Sequence, residues 1–127
     1  MGMDTKGMME DLTPVESAFL EAWSDFAREV YDTAESKGWH EESSGNLYVE
    51  ATKLALIGVE VSESIQKLRE GNPLDEKIQM PAVSVELADV IIRVMDLDID
   101  MFYNLGRAVI AKARYNKTRP YKHNRRF

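Results

Sequence analysis

The sequence predicts an all-α protein, a bundle of four or five helices in an up-and-down arrangement. Three observations lead there. Apolar residues recur at three- and four-residue steps through most of the 127-residue chain. No stretch shows strand-like alternation of useful length, and no repeat or low-complexity segment interrupts the pattern. Residues that cap and stop helices divide the periodic stretches into pieces of ordinary helical length. A chain of 127 residues makes one domain with room for a real core, here residues 13–127, with 1–12 expected as a flexible leader.

The leader has early methionines and glycines and no periodicity. The first helix opens at "TPVE": Thr13 caps, Pro14 suits the first helical position, and Glu16 completes a capping box. Phe19, Trp23, Phe26 and Val30 then form an apolar stripe that reads as core, and Gly38 is the expected stop. "HEESSGN" is a polar connection whose Asn46 can cap a second helix over about 47–70, ended by Gly71. "NPLDEKIQMP" holds two prolines and reads as a loop. Helical periodicity resumes over 82–97, and Asp98 or Asp100 can cap a fourth helix. That helix runs to about 118, because Pro120 disfavours helical geometry at Arg119.

Composition narrows the chemistry. The chain has no cysteine, which removes disulfides, thiolate catalysis and cysteine-based metal sites together. No apolar run approaches the roughly 20 residues of a membrane span, and "MGMDTKGMMEDLTP" shows no signal peptide, so a cytoplasmic location is expected. The net charge of −6 is unevenly spread: residues 107–127 carry 8 basic and no acidic groups, and the 22 acidic groups all precede them. Such a tail is either solvated or a source of phosphate contacts.

The acids in the apolar middle of the chain carry the most information. Glu60 and Glu63 in "EVSE" share one face of the second helix, and Glu86 and Asp89 in "ELAD" share one face of the third. Spacing alone is moderate evidence, since these residue identities arise by chance roughly 0.1 times in a chain so composed. The surroundings add to it. Leu54, Leu56, Ile57, Val59, Val61 and Ile65 cover most of the second helix, and Val85, Leu87, Val90, Ile91, Ile92 and Val94 most of the third. Helices apolar over most of their circumference are expected to be covered on most faces, so a narrow acidic stripe faces a groove or a subunit interface. Like charges there cost several kcal/mol per ion unless protonated, paired or bound to a cation. An all-oxygen ligand set selects a hard ion, Mg²⁺ or Mn²⁺. A di-iron site of the helical-bundle type needs Glu-x-x-His, and neither His40 nor His123 stands three residues after one of these acids.

With those residues in place, the chain resembles the MazG-like, all-α nucleoside triphosphate pyrophosphohydrolases, whose signature is ExxE followed after a gap by ExxD. "KGWHEE", the Asn46 that opens the second helix, "LALIGVEVSESIQKLREGNP", "VELADVIIRVMDL" and "KARYNKTRPYKH" follow the order and spacing of small single-domain members, over about residues 37–123. It departs from the common pattern at Val59, where relatives often carry a further glutamate, and in "HNRRF", where glycines commonly follow the histidine.

The resemblance implies that Glu60, Glu63, Glu86 and Asp89 are both metal ligands and catalytic residues. They hold Mg²⁺ on the phosphates of a nucleoside triphosphate while water attacks the α-phosphorus, releasing pyrophosphate and the monophosphate. It further implies that Lys112, Asn116 and Arg119 bind phosphate oxygens, that Tyr115 and His123 line the substrate site, and that Trp39 stacks on the base. A homodimer or homotetramer is expected from the apolar helices and from the resemblance, with no membrane partner and no nucleic-acid partner. The role expected is house-cleaning or control of the nucleotide pool. Two alternatives stay open. One is a phosphoribosyl-ATP pyrophosphohydrolase-like enzyme. The other is a non-enzymatic helical interaction module with solvated acidic stripes and a nucleic-acid-binding tail, whose affinity would fall with salt.

Overall fold

The computed structural model describes residues 11–41 and 46–124, with the side chains of His123 and Asn124 outside it. Positions 1–10 of the expected leader, most of the "HEESSGN" connection and the last residues of the basic tail therefore lie outside the described residues. The chain is mainly helical, in the order α1 (Pro14–Ser36), α2 (Leu47–Arg69), β1 (Leu74–Asp75), β2 (Met80–Pro81), α3 (Ala82–Met101), α4 (Leu105–Lys117) and a 3₁₀ turn (Tyr121–Asn124). Two compact units are formed, one of Ala27–Tyr103 and one of the residues up to Phe26 together with those from Asn104.

Local chemistry accounts for the helix ends. The Thr13 amide donates to Glu16 Oε1 at 2.9 Å and the Glu16 amide to Thr13 Oγ1 at 3.1 Å, which is the expected capping box. Gly38 takes φ +84° after the last turn of α1, where the Trp39 amide reaches the Ala34 carbonyl at 3.0 Å. Asn46 caps α2 by accepting the Tyr48 amide at 2.9 Å. At the far end Gly71 adopts φ +89°, and the Asn72 amide closes on the Lys67 carbonyl at 2.8 Å.

The segment expected as a loop contains a small antiparallel hairpin, with Leu74 opposite Pro81 and Asp75 opposite Met80. Asp75 builds its turn, accepting the Lys77 and Ile78 amides at 2.9 and 2.8 Å. The first turn of α3 is capped from outside: Pro81 offers no side-chain bond, and Asn72 Oδ1 accepts the Val83 amide at 2.8 Å. Asp98 and Asp100 do not start a fourth helix. They lie within α3, which runs on to Met101 and stops at Phe102 and Asn104, both left-handed. Asp98 is buried there, and Asp100 pairs with Lys53 at 2.9 Å.

In the Ala27–Tyr103 unit, α2 and α3 pack side by side. Partners move in opposite directions along the two segments, from Glu50 with Tyr103, through Lys53 with Asp100, to Glu60 with Arg93, so the helices are antiparallel. His40 belongs to the same unit: its Nε2 lies 2.8 Å from Asp96 Oδ1, and its ring stacks on Tyr31 at 4.3 Å. In the other unit, Gly106 sits where a Cβ would meet Leu20 Cδ2 at 3.1 Å and Trp23 Cδ1 at 3.3 Å. Arg114 there grips both Glu16 oxygens, at 2.8 and 2.5 Å.

The apolar surface departs from expectation. Ala27, Ala82, Met95, Leu97 and Ile110 are buried, but Phe26 of the expected core stripe is exposed. So are Leu54, Val59, Val61, Ile65 and Leu68 of α2 and Leu87, Ile91 and Ile92 of α3. Among the described residues, no helix is long and apolar enough to cross a membrane.

Candidate functional site

The antiparallel pairing of α2 and α3 decides what the acids do. One carboxylate oxygen each from Glu60, Glu63 and Glu86 lie within 4.8 Å of one another. Glu60 is the buried member, Glu86 is half-buried and Glu63 is exposed. Asp89 stands one turn along α3 from Glu86, outside this trio, and is half-buried beside Glu60. An open depression of about 340 Å³ adjoins the trio, lined by Glu63, Gln66, Lys67 and Glu86. Glu63 is exposed on this acidic face, which the sequence led us to expect in a groove or at a subunit interface.

The side chains record how the charge is carried. Burial raises the Glu86 carboxyl above its ordinary value, and the adjacent Glu63 carboxylate, which also hydrogen-bonds it, raises it further. Asp89 is likewise raised, first by burial and then by Glu60 and Asp75, while Arg93 opposes the rise. Glu60 is paired: Arg93 Nε donates to its Oε1 at 3.0 Å. The three remedies for crowded acids are protonation, pairing and a cation. Pairing operates at Glu60, and the donor set suits a cation, being all carboxylate oxygen as Mg²⁺ or Mn²⁺ prefers.

Other expected residues fall elsewhere. Lys112, Tyr115 and Arg119 gather at the end of α4, with Lys112 Nζ 5.0 Å and Arg119 Cζ 5.7 Å from the centre of the Tyr115 ring. Asn116 is exposed beside them. They belong to the unit that contains α4, whereas the acids belong to Ala27–Tyr103. Trp39 is 65% exposed, so it is not a core residue. Its neighbour His40 is anchored to Asp96, two helical turns beyond Asp89 and about 10 Å along the α3 axis. His123 is a site expectation whose side chain lies outside the described residues.

Sequence reasoning passed over two contributors. Arg93 was readable, four residues after Asp89 and seven after Glu86 on the same helical face. Asp75 gave no signal, because it reaches Asp89 through the fold of the hairpin. No protein-family model, curated protein or solved structure matches the chain.

Proposed function

We propose that the Glu60–Glu63–Glu86 cluster, with Asp89 beside it, binds Mg²⁺ or Mn²⁺, and that the protein hydrolyses (deoxy)nucleoside triphosphates to the monophosphate and pyrophosphate. The observation that carries this is the meeting of three carboxylates from two helices within 4.8 Å, beside an open depression and with, among the described residues, one bonded cation, Arg93. The order of motifs from Trp39 to His123 directs the reading towards triphosphate hydrolysis.

When bound, the cation neutralises phosphate charge and polarises the phosphorus–oxygen bonds. The chain's own carboxylates anchor it, and one that is free of it orients the attacking water and takes its proton. A bond forms from that water to the α-phosphorus as the bond to the pyrophosphate leaving group breaks. Lys112 and Arg119, brought together around Tyr115, are suited to phosphate oxygens together with Asn116, and the exposed ring of Trp39 to a base. His123 takes its place here from the motif order alone.

We assign the exposed apolar residues of α2 and α3 to a second copy of the chain, in a dimer or tetramer. Light scattering after size exclusion tests that assignment, and a monomer at micromolar concentration would overturn it. The activity is tested by a Mg²⁺-dependent pyrophosphate-release screen over canonical and modified (d)NTPs. Turnover of no triphosphate, or a Glu63→Gln variant as active as the parent, defeats the proposal.

A further inference from the structure

We infer that Arg93 is a built-in competitor of the metal: its guanidinium neutralises Glu60 in the metal-free protein and is displaced from that carboxylate when a divalent cation binds. The inference rests on the metal reading above and adds a positioning residue to it.

The geometry gives Arg93 this place. Glu60 is the one buried member of the cluster, at 9% relative exposure, so it most needs a counter-charge. Arg93 supplies that charge from the facing helix through a single bond, Nε to Oε1 at 3.0 Å. The bond is end-on, one N–H to one oxygen, whereas Arg114 in the same chain forks onto both oxygens of Glu16. The Arg93 side chain is 37% exposed, so the guanidinium has water to move into.

Among the described residues, Arg93 is the cation whose ion pair reaches the trio. Lys67 lines the depression but pairs with Glu70 at 3.6 Å, in an exposed pair of the kind worth little. A guanidinium does not lose its proton under ordinary conditions, so only a competing cation removes this charge from Glu60. A divalent ion on the trio and a guanidinium on Glu60 repel each other, so each weakens the other's hold by the same factor.

Arg93 therefore has effects of opposite sign on two measurable quantities. Its removal leaves Glu60 buried and unpaired, which destabilises the metal-free chain. The same removal frees Glu60 and deletes a repulsive charge, which strengthens the metal.

The test is calorimetric titration of the full-length chain with Mn²⁺ alone, without nucleotide, together with melting curves in EDTA and in Mn²⁺. Arg93→Gln is expected to bind Mn²⁺ about tenfold more tightly than the parent, the scale of one partly screened charge at the site. Its melting midpoint is expected to fall in EDTA and to recover in Mn²⁺. Arg93→Lys keeps the charge and is expected to match the parent in Mn²⁺ affinity. A merely structural arginine lowers the midpoint without tightening the metal, so an Arg93→Gln affinity equal to or weaker than the parent's overturns the inference.

If Arg93→Gln does not fold, the parent still decides. The Arg93 Nε–H resonance is expected to shift as Mg²⁺ saturates the chain, and an unmoved resonance overturns the inference. A parent chain that takes up neither ion overturns the metal reading itself, whereas parent binding with no tightening in Arg93→Gln overturns this inference alone.

Discussion

Replacing Glu63 with glutamine removes one negative charge and keeps the shape and hydrogen-bonding capacity of the side chain. In metal-free protein the change deletes a repulsion, since the Glu63 and Glu86 oxygens lie no more than 4.8 Å apart. Two unit charges at that separation repel by about 0.9 kcal/mol in water and about 3.5 kcal/mol at an effective dielectric of 20. Glu63 is exposed, so the lower figure governs, and Glu63→Gln is expected to gain about 1 kcal/mol at pH 8 in EDTA. For a domain of this size that is roughly 3–5 °C in melting midpoint, read by differential scanning calorimetry.

In excess Mg²⁺ the order reverses. The parent is stabilised by the ion it binds and the variant is not, and pyrophosphate release by the variant falls by about 10² or more. More stable without metal and inactive with it is the signature of a ligand cluster. A variant with an unchanged midpoint in EDTA, unchanged activity and an unchanged response to Mg²⁺ would refute the reasoning and return these acids to a solvated stripe.

Three other outcomes are expected. The Arg114 hydrogen bonds hold the Glu16 carboxyl at about 2, against an ordinary value of 4.5; a depressed carboxylate contributes stability above its unfolded value that is lost as pH falls towards the folded one. Acid titration between pH 4.5 and 2 should therefore destabilise the parent more than Glu16→Gln, and parallel curves would count against the pair. Gly106→Leu forces a side chain into Leu20 and Trp23 and should cost about 2 kcal/mol in urea unfolding, whereas a neutral result would mean that the contact yields. Trp39→Ala removes an exposed ring and should change stability by less than about 0.5 kcal/mol while raising KM for the triphosphate; a large stability loss or an unchanged KM would return Trp39 to a structural role.

Much of the helical frame was legible in advance because it depends on neighbours in sequence. Thr13 and Glu16 close a capping box across three residues, Asn46 caps the turn that follows it, and Gly38 and Gly71 end helices because glycine tolerates positive φ. The pairing of Glu60 with Glu63, and of Glu86 with Asp89, on single faces follows from helical period alone. Asp98 and Asp100 misled for the same reason: both have the side chain of an N-cap, but within α3 Asp98 is buried and Asp100 is paired with Lys53.

What the sequence by itself determined, then, is the set of helices, the ends of the first two and the face on which each acid stands, since these arise within a few residues of backbone. The tertiary structure alone decided which acids meet. The antiparallel register of α2 on α3 brings Glu86 to Glu63, sets Arg93 on Glu60 and leaves Asp89 to one side, while the hairpin carries Asp75 towards Asp89. Register is fixed by the packing of whole helices and by a hairpin between them, so no short stretch of sequence encodes it.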